Sequence, residues 1–395
     1  MAPILVFTSP NTHSRRRAAA AILTSSALVV PGNVLPILAG LFADNYHINE
    51  QQIGYLISTN TFTALAVSVT APLWIARVNA RWLVPCCMVV LAVAYFCLAL
   101  APNYTGLLLL EIVIGAGAGA VASVCYTVMG QLADPARAWG FKVMSDVLLA
   151  WAFVKIVPNT HDMLLFTTSL AVVLSTLGML GALLPARAIA HQPAHAAPNS
   201  LRDASVGAWL ALVVMMVFAV GTAGVWAFVQ RLELRAGISA TASRDIFALG
   251  LLLGISGALA ASLIGTRLGR VWPPTISGAL LVLSVHLMST THSQLVFTFA
   301  FVGLNATWNF YLPYMMGLLA ARDSTNRLSS LVNAALAMGS IVGPTLAGTL
   351  IHLSGYGLGM AVQSALIAAA VVLYVPIAMG AARTRKSSAP GTAPA

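Results

Sequence analysis

The sequence predicts an all-α membrane protein, with twelve transmembrane helices arranged as two pseudo-symmetric bundles of six. Three observations carry that prediction. Of the 395 residues, 59% are hydrophobic and only 8% are charged, against about 25% charged in an ordinary soluble domain. Long stretches hold no Asp, Glu, Lys or Arg. The two halves of the chain also echo one another across one polar segment. Lipid is the natural solvent for such a chain, and the net charge of +10 then needs no nucleic acid to explain it.

The charge-free gaps give the helices in order. Gaps at 18–43, 51–76, 163–186, 204–230 and 246–266 are each long enough for one spanning helix of about 20 residues. Two longer gaps, 271–321 and 328–382, contain the polar breaks Ser289–Ser293 and Ser354–Gly357 and so hold two helices each. The resulting set is 18–42, 52–75, 82–101, 106–130, 139–158 and 163–186, then 206–229, 246–266, 271–290, 294–320, 328–352 and 358–381. Arg15, Arg16 and Arg17 precede the first run, which lacks a small-residue cleavage site and reads as a permanent span rather than a signal peptide. Pro31 and Pro36 flank Asn33 in that span, which predicts a distorted helix with freed backbone carbonyls.

In the fourth helix Gly115, Gly117 and Gly119 follow no strand and open no helix, so they are not a phosphate-binding loop. Small residues there let a neighbouring helix come close. Cys86, Cys87, Cys97 and Cys125 form no CxxC pattern, no His stands at ligand spacing from them, and they read as buried thiols. Residues 187–205, with Pro193 and Pro198, read as a flexible linker. It separates an N-terminal bundle at 1–186 from a C-terminal bundle at 206–395, which ends in a short basic tail.

Arg15, Arg16, Arg17, Arg77, Arg81, Arg137, Lys142, Arg187, Arg202, Arg267, Arg270, Arg322, Arg327, Arg383, Arg385 and Lys386 all fall on one side of the predicted topology. The positive-inside rule places that side, both termini and the linker in the cytoplasm, in a multi-pass protein of the cell (inner) membrane. The sequence Met129-Gly130-Gln131-Leu132-Ala133, followed by Asp134 and Arg137, closes helix four. Met316-Gly317-Leu318-Leu319-Ala320, followed by Asp323 and Arg327, closes helix ten, 187 residues later. The shared topological place points to duplication, and repeats of this kind hold a binding site at their interface near the midplane.

The loop after helix eight, Ser262 to Arg270, contains Gly265-Thr266-Arg267-Leu268-Gly269-Arg270. It resembles the major facilitator superfamily signature G-x-x-x-D-R-x-G-R. The loop at Pro72–Arg81 keeps the cations Arg77 and Arg81 but lacks both glycines and the acid. The run Gly339–Gly348 is similar to the Gly/Pro-rich packing helices of that family. The resemblance implies a transporter, and it implies gating latches between Arg77 or Arg81 and Asp134, and between Arg267 or Arg270 and Asp323. The alternative is that these cations only orient the chain. The family's drug exporters carry a Gly-Pro-x-x-Gly-Gly element in helix five, which is absent here, and related transporters have Arg where this chain has Glu111.

Ionisable groups at membrane depth are costly and mark function. Three stand out: Glu111, Asp146 and Lys155. Glu111 and Lys155 lie at similar depths in consecutive antiparallel helices, which predicts an ion pair; snorkelling is the alternative for Lys155. Asp146 is nine residues from Lys155, half a turn out of phase at 100° per residue, so the two cannot pair. It is a candidate proton or substrate-cation site, or a partner of Lys142 at i−4. The resemblance implies that helices one, four, seven and ten line a cavity. This makes Asn33, Tyr126, Trp226, Asn305, Trp308 and Asn309 substrate-binding candidates, against the alternative that they bond across helix interfaces or sit at membrane boundaries.

No metal, cofactor or catalytic cluster is expected, and no nucleotide motif occurs. The expectation is therefore not an enzyme but a monomeric secondary transporter of a small organic solute, proton-coupled and leaning to uptake of an organic acid or aromatic-type metabolite. A drug or metabolite efflux antiporter of the same superfamily is the alternative.

Overall fold

The computed structural model describes residues 12–387, except 133, 158–161, 187–204, 266 and 323–327. The linker, Arg327 and Asp323 therefore lie outside the described residues, and with Asp323 so does the second expected latch. The described chain is helical. Its elements are α1 (Thr12–Asn33), α2 (Leu35–Tyr46), α3 (Glu50–Val69), α4 (Ala71–Trp74), α5 (Ala80–Leu98), α6 (Tyr104–Gly130), α7 (Pro135–Ile156) and α8 (Met163–Gly178), then α9 (Val206–Arg235), α10 (Ala240–Ile264), α11 (Trp272–Thr290), α12 (Gln294–Arg322) and α13 (Val332–Ser387).

Among the described residues, seven helices are long and apolar enough to cross a membrane, or eight if the bent pair α1–α2 is one span. α13 runs through a kink at Gly355, whose φ of 82° is a left-handed conformation that glycine adopts freely, so it supplies two traverses. α3, α7 and α11 have 20, 22 and 19 residues but a more polar composition. The count is consistent with twelve. Large side chains such as Phe62, Trp82, Leu263 and Phe299 stand exposed around the bundle, which suits a surface solvated by lipid rather than water. Cys86 is among the exposed residues and only Cys125 is buried, so the expectation of four buried thiols is corrected; a thiol is apolar enough to face lipid.

Polar residues mark the helix starts. Asn49 caps α3 in a reciprocal box with Gln52, and Asn103, Asp134, Asp162, Ser205 and Ser239 each accept a backbone N–H from the first turn of the next helix. Each cap satisfies a donor that lipid cannot.

Small residues then set which helices touch. A Cβ on Gly115 would lie 2.3 Å from the Asn60 carbonyl oxygen, and one on Gly119 would lie 2.4 Å from that of Ala64. α3 and α6 thus meet backbone to backbone along that stripe. Gly115→Ala should therefore cost about 1–3 kcal/mol through overpacking, measured as a lower thermal-unfolding midpoint in detergent. Gly339 and Gly343 do the same for α13 against α9, meeting Ala219 and the Val220 carbonyl.

Candidate functional site

The first span is broken where its prolines predict. α1 ends at Asn33, α2 resumes at Leu35, and the two are bent by 49°. Carbonyls freed at the break are taken up by the other half of the chain. Trp226 on α9 donates its indole N–H to Gly32 O at 3.2 Å. Gln230, with its amide nitrogen turned to the α2 backbone, donates to Pro36 O at 2.8 Å and Ile37 O at 3.2 Å. Asn33 reaches the opposite way, its Nδ2 donating to Asp146 O on α7 at 3.4 Å. The break thus joins α7 of the first half to α9 of the second at one level.

On the first-half side a charged pair is buried. Lys142 Nζ and Asp146 Oδ2 are 2.6 Å apart, with side chains 5% and 12% exposed. Lys142 also lies over the rings of Tyr126, at 5.6 Å, and Trp139, at 6.0 Å, within cation–π range. Those two rings touch one another at 4.9 Å. Of the two readings open for Asp146, the i−4 contact with Lys142 is formed. Asp146 Oδ1 is buried without a hydrogen-bond partner.

On the second-half side three rings cluster. Trp226 stacks on Phe301 at 6.2 Å and 12°, and Phe247 lies 5.6 Å from Trp226 and 5.2 Å from Phe301. Trp308 sits seven residues after Phe301, on the same face of α12, and is 36% exposed. Asn305 and Asn309 donate to Phe301 O and Asn305 O on their own helix and face the glycines of α10, with Asn305 Nδ2 3.3 Å from where a Gly250 Cβ would stand and Asn309 Nδ2 3.3 Å from where a Gly254 Cβ would stand.

The expected Glu111–Lys155 ion pair is not formed. Glu111 is 4% exposed, and its Oε2 accepts from Asn60 Nδ2 on α3 at 2.7 Å. Lys155 instead pairs with Asp245 on α10 at 2.6 Å. The reason is packing: α7 lies against α1 and α10, and α6 lies against α3 and α5, so matching depth in consecutive helices did not make them partners.

The latch expected between Arg77 or Arg81 and Asp134 is also open here. Asp134 Oδ1 accepts the Arg137 N–H as the α7 cap, and Arg81 Nε donates to Leu184 O. In the second half, Gly269 holds φ 84°, and Tyr314 and Tyr374 hold the loop by donating to Gly265 O and Arg270 O, both at 2.7 Å. This fixes the turn that carries Arg267 and Arg270.

The contacts that join the two halves gather toward one face, opposite the face where α1 begins and α13 ends. Besides Lys155–Asp245, Arg231 pairs with Asp44 at 2.8 Å and donates to Gly40 O. The Ser58 hydroxyl lies 2.6 Å from that of Thr345 and donates to Ile341 O, and Tyr356 OH donates to Glu50 Oε1 at 3.1 Å. A cleft of about 490 Å³ opens on that far face between Glu50, Arg231, Arg235 and Tyr356. Sequence reasoning missed this seam and missed Glu233, which is wholly buried. The predicted seventh helix stopped at 229, whereas α9 runs on to Arg235; the turn Gln230-Arg231-Leu232-Glu233 was the available signal. Among the described residues no group of three His, Cys, Asp or Glu is placed to hold a metal.

Polar and aromatic groups thus converge on this broken first span from both halves of the chain. The sequence model of the Major Facilitator Superfamily matches residues 19–148. Solved structures match nearly the whole chain. A bacterial homologue of the human lysosomal transporter Spinster, in an inward-facing and occupied conformation, aligns with a TM-score of 0.70 at 14% identity, covering 98% of this chain and 100% of that one. Its inward-facing and unoccupied form gives 0.68 at 15% identity with the same coverage. The nucleoside transporter NupG gives 0.68 at 13% identity, covering 94% and 100%. No curated protein matches in sequence. The chain is thus a multi-pass membrane protein with the fold of these solved transporters, and its residues 19–148 match the superfamily's sequence model.

Proposed function

We propose that this protein is a secondary transporter that moves a small, ring-bearing organic solute by alternating access, in symport with protons and in the direction of uptake. The observation that supports this best is the convergence at the α1–α2 break. Tyr126, Trp139 and the Lys142–Asp146 pair approach it from one half, and Trp226, Phe247 and Phe301 from the other. Aromatic walls with a few placed polar groups suit a planar, partly apolar molecule, and Asn305 and Asn309 add amides on the same helix as Trp308. The basic loops support a cytoplasmic position for the face where α1 begins. The joining of the halves at the far face supports reading this form as inward-open, and the unformed Arg77/Arg81–Asp134 latch fits that reading. The missing Gly-Pro-x-x-Gly-Gly element in α7 supports uptake over export. Protons are the proposed coupling ion because, of the carboxyl groups buried among the described residues, Glu111 and Glu233 take their hydrogen bonds from the uncharged Asn60 and Ser243.

The test is accumulation in proteoliposomes under an inside-alkaline gradient, using a panel of nucleosides and aromatic carboxylates as probes. At least one probe should accumulate and be lost on adding a protonophore. Trp308→Ala should cut its accumulation at least about tenfold, equivalent to about 1.4 kcal/mol. A panel that is bound but never moved, or moved equally well by Trp308→Ala, overturns the reading.

A further inference from the structure

We infer that Glu233 is a proton-binding site that latches the far face, so that acidity on that face favours the closed form. The inference rests on the alternating-access reading above. Glu233 lies in the last turn of α9 and has no exposed surface. Its Oε2 accepts a hydrogen bond from the Ser243 hydroxyl on α10, while its Oε1 is buried without a partner. Arg231, Arg235 and Asp245 nearby are engaged elsewhere. Arg231, two residues earlier and so on the other side of the helix, holds Asp44 and Gly40 O on α2. Arg235 lies over the ring of Tyr356 on α13, 4.8 Å from its centre, and that hydroxyl donates to Glu50 on α3. On α10, Arg244 and Asp245 follow Ser243, and Asp245 turns to Lys155. A carboxylate ion in Glu233's place would be a buried charge compensated by one hydroxyl, which is far too costly. A neutral acid fits the same slot.

The position of this slot gives it a role. Gln230 and Arg231, just before Glu233, grip α2, and Asp245, just after Ser243, grips α7. The Glu233–Ser243 bond, together with Ile238 N–H donating to Glu233 O at 3.2 Å, ties the ends of α9 and α10 into one unit. The α9 and α10 sides of the seam therefore move with it. When the seam parts, water reaches this end and the acid can give up its proton. Once charged, it cannot return to the dry slot, so closing again requires a proton from far-face water.

The experiment is a distance measurement between spin labels at Asn45 and Leu353, exposed far-face positions in the two halves. It uses full-length protein in nanodiscs with the four native cysteines replaced. From about pH 5 to about pH 9, the wild-type long-distance population should grow. Glu233→Gln, which mimics the neutral acid, should stay short throughout. Ser243→Ala removes a bond of the closed form and should move the opening midpoint to lower pH by about one unit, a tenfold change. A wild type without pH response, or a Glu233→Gln variant that still responds, overturns the proposal. The double variant Asp44→Ala/Arg231→Ala, which loosens the seam directly, separates the two failures. If it lengthens the distance while pH does nothing, alternating access stands and the Glu233 latch falls; if neither moves, both fall.

Discussion

Asp146→Ala will destabilise the protein by about 3–5 kcal/mol, the cost of stranding one member of a buried ion pair. The partner left behind is Lys142, whose side chain is 5% exposed and whose amine lies 2.6 Å from the carboxylate. Two compensations survive the change, the faces of Tyr126 and Trp139 at 5.6 and 6.0 Å, and together they offset part of the loss at about 0.5–2 kcal/mol each. The amine itself cannot snorkel, because the Lys142 backbone is held inside the bundle, with its carbonyl accepting from Ser26 on α1. Thermal unfolding in detergent reads the effect. The double variant Lys142→Met/Asp146→Leu should recover most of the stability, since apolar residues of similar volume replace buried pairs at little cost. A single variant that unfolds like wild type would mean the pair opens to water and belongs to the cavity surface. A double variant that is stable but inactive in proteoliposomes would place the charges, and not merely their packing, in the solute path.

The pair was readable because it is local: i and i−4 on one helix are neighbours whatever the helix packs against. The same holds for the break at Asn33 between Pro31 and Pro36, for the glycine stripe of α6, and for most helix bounds, which hydropathy alone defines. What the sequence left unreadable is nonlocal. Glu111 and Lys155 were matched in depth but sit on helices with different neighbours, Asn60 of α3 for one and Asp245 of α10 for the other. In lipid the choice of neighbour depends on close approach of small residues and on interhelical bonds rather than on apolarity, so no periodicity records it. Glu233 was hidden for a related reason. Three charged residues in the stretch from Arg231 to Arg235 look like a loop, yet each finds a partner across a helix boundary, and the helix runs through them.

Gly54→Ala will shift the protein from the far-closed toward the far-open form by about 5–150-fold, the population change that 1–3 kcal/mol of overpacking supplies. A Cβ on Gly54 would lie 2.4 Å from Pro344 O and 3.0 Å from Thr345 Cα, and one on Gly348 would lie 2.2 Å from Glu50 O. The obstacles are backbone atoms of the opposite half, so α3 and α13 must separate to make room, and the hydroxyl bridge from Ser58 to Thr345 separates with them. The clash exists only while the seam is closed. Its cost therefore falls on one conformation, unlike that of Gly115→Ala, whose obstacle at Asn60 O lies within one half and is present in both. Modification of cysteines placed along the seam should rise in Gly54→Ala and stay at the wild-type rate in Gly115→Ala. Thermal unfolding should show the reverse order, with Gly115→Ala the less stable, because Gly54→Ala relaxes into a second folded state. If Gly54→Ala lowers the unfolding temperature and leaves seam accessibility unchanged, α3 and α13 form a permanent interface, and the two halves of this protein do not part there.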